Sequence, residues 1–90
     1  MKLQKYDDGG HGWLRVRRET LRLLGILTKI SHYSYERGEF VYVEEDADMA
    51  LLHKALEAKG ETLTYRTNTT DKRSKIRSYA SFRINIRDCT

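Results

Sequence analysis

The stretch from Lys29 to Asp48, KISHYSYERGEFVYVEEDAD, constrains the fold more than any other part of the chain. In its first half Ile30, Tyr33 and Tyr35 stand among small and polar residues. Arg37-Gly38 supplies a turn, and Phe40-Val41-Tyr42-Val43 returns as a β-rich run. Glycine takes the positive φ that a short hairpin loop needs. Glu44, Glu45, Asp46 and Asp48 then close the second strand and open a helix. There Asp46 or Asp48 can accept from the free N–H groups of the first turn, and the carboxylates suit the positive end of the helix dipole. The expectation is a hairpin that feeds a helix.

That helix carries Met49, Leu52 and Leu56 at i, i+3 and i+7, with Ala55 between, Lys59 in the last turn and Gly60 as the stop. Upstream, His11 to Arg17 alternates as a strand, with Trp13 or Leu14 and Val16 as its apolar positions. Arg18 to Leu24 reads as a helix of about two turns ended by Gly25. Downstream, Thr62 to Thr67 alternates as a strand with Leu63 and Tyr65 facing one way. In the tail, Ile76, Tyr79 and Phe82 recur every three residues, as in a helical turn. Phe82, Ile84 and Ile86 recur every two, as in a closing strand, and periodicity does not locate the change.

The turn chemistry of Asp7-Asp8-Gly9-Gly10 makes residues 1–10 a loose lead-in, and the polar run over 68–75 a mobile loop. Ninety residues make a single domain, 1–90. The fold class expected is α+β: a small, largely antiparallel sheet with two helices on one face, in a βαββαβ-like order compatible with ferredoxin-like layers. Its core would contain Trp13, Leu21, Leu24, Ile26, Ile30, Tyr33 or Tyr35, Val41, Val43, Met49, Leu52, Leu56, Leu63 and Ile76.

Charge narrows the functional classes. Lys/Arg outnumber Asp/Glu seven to three in residues 1–30, are outnumbered three to eight in 31–61, and lead seven to two in 62–90. An acidic centre thus lies between basic flanks, a pattern that speaks to association rather than to fold. The single Cys89 forms no internal disulfide, and no apolar run reaches the roughly 18 residues of a membrane span. The N-terminus lacks the apolar segment of a signal peptide, so a cytoplasmic protein is expected.

Three histidines, His11, His32 and His53, occur without HxH, HExxH or His/Cys ligand spacing, and neither a metal nor a cofactor is expected. The acidic cluster lacks the alternation and central glycine of a calcium loop. Ser31, Ser34 and Cys89 lack a nucleophile elbow, and no Gly-rich phosphate loop is present, so the chain is read as non-catalytic. Six tyrosines and one tryptophan suit a protein interface instead. The surface expected to meet a protein partner is Tyr33, Tyr35, Tyr42, Glu44, Glu45 and Asp46, offering an acidic patch to a basic surface. The alternative is a nucleic-acid site built from Arg15, Arg17, Arg18, Arg73, Lys75 and Arg77, with nearby aromatics to stack on bases. Either a monomer or a homodimer joined through an edge strand is compatible with the sequence.

At GHGWLRV, the helix ending in LGI, KISHYSYERGEFVYVEEDAD and SKIRSY, the chain resembles a family of short proteins and domains from phages, plasmids and other mobile elements. Gly12-Trp13, Ile30-Ser31, Tyr33-Ser34-Tyr35, Glu44-Glu45-Asp46 and Ser74, Ile76, Arg77 occupy the shared positions over residues 11–82. The resemblance implies a genetic setting rather than a reaction. Small proteins in that setting often bind and block host defence complexes of the restriction or CRISPR kind. Arg77, a bidentate donor, is expected to pair with Glu44, Glu45 or Asp46 and tie the tail to the hairpin–helix corner.

Overall fold

Leu14 and Val16 on one strand and Val41 and Val43 on its neighbour are almost wholly buried, and they alternate with side chains facing the other way. This alternation divides the molecule into two apolar layers on opposite faces of one sheet. The computed structural model describes residues 1–84. Strands β1 (Lys2–Asp7), β2 (Gly12–Arg17), β3 (Tyr35–Arg37), β4 (Phe40–Glu44), β5 (Thr64–Thr69) and β6 (Ala80–Ser81) lie in the order β5-β1-β2-β4-β3-β6. Neighbours are antiparallel except β1 and β5, which run parallel. The helices are α1 (Arg18–Leu23) and α2 (Ala47–Ala58).

The fold is α+β, and β2-α1-β3-β4-α2-β5 follows the expected βαββαβ order, with β4 between β2 and β3. Both helices cover one face. Leu21 of α1 and Leu52 and Leu56 of α2 pack with Leu14, Val16, Val41, Val43, Ile26, Leu27, Ile30 and Phe82. Each helix ends in a six-residue C-terminal motif on the glycine that the sequence pointed to. Gly25 and Gly60 take φ of +76° and +75°, and the next residue's N–H reaches back to Leu21 and Leu56 respectively. The hairpin between β3 and β4 turns on Gly38 at φ +59°, with Arg37 paired to Phe40.

Two expectations fail for tertiary reasons. Residues 1–10 are not a loose lead-in, because Lys2–Asp7 is a strand paired on both sides, to β2 and to β5. Its sequence has little β propensity, but two flanking strands supply partners for its backbone groups. The Asp8–Gly10 turn is the loop of the β1–β2 hairpin, where Asp8 accepts from the N–H groups of Gly10 and His11 at 3.2 and 3.1 Å. The loop expected over 68–75 also shrinks, since Asn68 and Thr69 belong to β5 and Lys75 opens a 3-10 helix, Lys75–Ser78.

The tail keeps the helical turn, as the 3-10 helix Lys75–Ser78, but its strand is Ala80–Ser81, ahead of Phe82 and Ile84 rather than through them. Ile76 in the 3-10 helix packs on Trp13 and Tyr42 on the second face of the sheet, whereas Phe82 enters the helix-covered core after edge strand β6. Ile86 lies outside the described residues. Among the expected core residues, Leu24, Met49 and Leu63 are partly buried, Tyr35 is half-buried, and Tyr33 is 70% exposed.

Candidate functional site

Ser31 and Ser34 precede β3, and Asp48 sits in the first turn of α2. The fold brings them together at the corner between hairpin and helix. Asp48, 3% exposed, uses one carboxylate oxygen to accept from Ser31 N–H (3.0 Å), Ser31 Oγ (2.7 Å) and Ser34 Oγ (2.7 Å). Ser34, fully buried, in turn accepts from the N–H of Glu44 at 3.0 Å. The Glu44 carboxylate closes the ring, accepting from Asp46 N–H and Asp48 N–H, each at 2.9 Å. The first turn of α2 is thus capped by Glu44, not by Asp46 or Asp48, although the preference of a helix start for a carboxylate is as expected.

Arg77 does not reach this corner. It forms a two-pronged pair with Asp8, whose side chain is 1% exposed and also accepts from Ser74 N–H at 3.0 Å. The Arg77 guanidinium, then the N–H groups of Ser74, His11 and Gly10, hold the Asp8 carboxyl far below the usual carboxylate range. Asp8 in turn raises Arg77. The tail is therefore tied to the β1–β2 turn, the nearest carboxylate in space once β1 has paired.

Above this pair lies a cleft of about 410 Å³ lined by His11, Trp13, Tyr33, Tyr35, Glu44, Asp46, Ala47 and Arg77. Trp13 and Tyr35 meet edge to face with ring centres 6.1 Å apart, and the Arg77 guanidinium lies 5.5 Å from the Trp13 ring. Tyr33 stands at the rim, its ring 4.4 Å from His32.

The structure thus assembles four of the six expected partner residues, Tyr33, Tyr35, Glu44 and Asp46, around one cleft. It separates the other two. Tyr42 is 8% exposed beneath Tyr79 and Tyr6, at ring distances of 5.1 and 6.4 Å, and burial followed by the neighbouring Tyr79 raises its phenol pKa. Glu45 points to the other side of the sheet, 4.0 Å from Lys5. Sequence reasoning missed His11 and the second role of Trp13, both within the HGW segment it had noted.

The expected nucleic-acid residues separate into four places. Arg15 and Arg17 flank the Phe40 ring at 4.7 and 5.3 Å. Arg18 lies over Phe82 and bonds Glu36 and the Arg83 carbonyl. Arg73 and Lys75 border a hollow beside Tyr6 and Asn68, and Arg77 is held by Asp8. Among the described residues no group of three His, Cys, Asp or Glu could hold a metal ion, and no helix is long and apolar enough to cross a membrane. Compared with known proteins, the chain matches no family model, no curated protein and no solved structure.

Proposed function

We propose that this chain is a non-catalytic protein-binding domain whose aromatic cleft receives a cationic side chain, arginine or lysine, from a basic surface of its partner. The observation that carries the reading is Tyr33. It is a large aromatic residue left 70% exposed at the mouth of a cleft whose walls are Trp13 and Tyr35 and whose rim is Glu44 and Asp46. Ring faces attract cations, by about 2 kcal/mol where water is excluded. The positive charge already in the cleft is compensated, since Arg77 is paired with Asp8, so the carboxylates set the local sign. Exposed tyrosines around a pocket are also the residue type that dominates interface energetics.

The resemblance to small phage and plasmid proteins supports a setting in the host cytoplasm, with a defence complex as partner. A complex that handles nucleic acid carries basic surfaces, and an acidic aromatic corner complements them. Trp13 is the sole tryptophan and lines the cleft, so its emission reports occupancy. Titration with a short arginine-rich peptide should change that emission saturably, and Tyr33→Ala or Asp46→Asn should weaken binding by about tenfold. No saturable change, or affinity undiminished in both variants, would overturn the proposal.

A further inference from the structure

We propose that the uncovered part of the second sheet face binds a single-stranded nucleic acid, through a phosphate-binding row of cations beside stacking surfaces. Among the described residues, the 3-10 helix Lys75–Ser78 and Tyr79 cover only the part of this face that carries Trp13 and Tyr42. Beyond them the register places Arg66 beside Gln4, Gln4 beside Arg15, and both Arg17 and Arg37 beside Phe40, all on the face opposite the helices. Lys2 extends the row on β1, two residues before Gln4. Lys2, Arg17, Arg37 and Arg66 are exposed, and Arg15 and Phe40 half-buried.

Among the described residues little acid offsets these charges. Arg17 meets Glu39 at 2.8 Å with both side chains more than half exposed, a geometry of small energetic worth. Glu44, on the same face, lies at its far end, opposite Trp13. Among the described residues four cations of this row have no carboxylate partner and face the phosphates: Lys2, Arg15, Arg37 and Arg66.

Stacking surfaces lie among the charges. The Arg15 and Arg17 guanidinium groups stack on Phe40, and that of Arg37 lies 5.0 Å from the Tyr79 ring. Aromatic rings and arginine planes are the platforms on which unpaired bases stack, and an acidic peptide has no use for them. From β5 to β3 the face spans about 19 Å, wider than the roughly 12 Å major groove that admits a helix or a two-stranded ribbon. A sheet face of this width suits a splayed single strand and not a duplex.

The test is fluorescence anisotropy with a short labelled single-stranded DNA of mixed sequence across a salt series. Four neutralised phosphates predict an affinity loss of roughly 50-fold between about 50 and 200 mM salt. Lys2→Gln with Arg66→Gln, both at exposed positions, should flatten the log–log salt slope by about 1.4. A charge-matched control, Lys54→Gln with Lys59→Gln on the exposed side of α2, should leave slope and affinity unchanged. Absence of saturable binding at low salt overturns the proposal, as does an equal loss in the control. A duplex of the same sequence binding as tightly, or an acidic peptide displacing the strand at equal charge, overturns it also.

Discussion

Replacing Asp48 by alanine should unfold this domain far more readily than the loss of one surface carboxylate would suggest. The Asp48 oxygen holds two serines from the segment before β3, and through Ser34 it is linked to the first residue of the corner, Glu44. Alanine leaves the Ser34 hydroxyl without its acceptor in a fully buried site, at a cost of about 1–3 kcal/mol, and removes the charge-assisted bonds to Ser31. Their shared acceptor makes these terms overlap, so a net loss of about 3 kcal/mol is expected. In a domain of this size that lowers the melting temperature by about 12–24 °C. Asp48→Asn keeps an oxygen where all three donors converge and should cost about 1 kcal/mol. The assay is thermal and urea denaturation of wild type, both Asp48 variants, Ser34→Ala, and the Ser34→Ala/Asp48→Ala pair. The pair should be less destabilised than the sum of its single changes by about 1 kcal/mol or more. A melting shift below about 4 °C for Asp48→Ala, or full additivity in the pair, would refute the reasoning.

Three further outcomes follow from named contacts. An added Cβ at Gly12 meets the Asp7 carboxylate and comes within 2.9 Å of Glu45, so Gly12→Ala should destabilise by about 1–3 kcal/mol in urea denaturation. Phe82, 2% exposed in the helix-side core, should cost about 3–5 kcal/mol as alanine in the same measurement. Asp8 is held far below the ordinary aspartate value of about 3.9, so its contribution is complete above that value and is lost as pH falls toward the folded one. The melting gap between wild type and Asp8→Asn should therefore be constant near neutrality and narrow steadily below about pH 4; a gap independent of pH would contradict the pairing.

Much of the fold is legible in the chain because local chemistry and tertiary contacts agree there. Gly25 and Gly60 end the two helices, Gly38 turns the hairpin, and Leu52 and Leu56 form the buried stripe of α2. Where they disagree the sequence misleads. Lys2–Asp7 has the composition of a surface loop and becomes a strand only because β2 and β5 pair with it. The partner of Arg77 was equally hidden. The chain offers many carboxylates, and only the pairing of β1 brings Asp8, 69 positions away, to the guanidinium. At the site, Tyr33, Tyr35, Glu44 and Asp46 were found because they crowd one short segment. Tyr42 and Glu45 share the same proximity, but Ile76 and Tyr79 of the tail cover Tyr42, and the turn beyond Glu44 sends Glu45 elsewhere. Ser31 and Ser34, two of the resemblance positions, prove to be ligands of Asp48, and Ser74 caps the 3-10 helix by accepting from Ile76 N–H. These serines therefore have structural work at the corner and the tail, whereas Tyr33 is left 70% exposed.

The most direct measurement of the central claim is a ¹H–¹⁵N correlation spectrum of the whole chain recorded during titration with the arginine-rich peptide. The account predicts that the Trp13 indole N–H and the backbone signals of Tyr33, Tyr35, Asp46 and Ala47 shift together with one affinity, and that Tyr33→Ala moves the midpoint of those shifts to about tenfold higher peptide concentration. Shifts confined to the acidic surface around Glu57 and Glu61, with Trp13 unmoved, would contradict it.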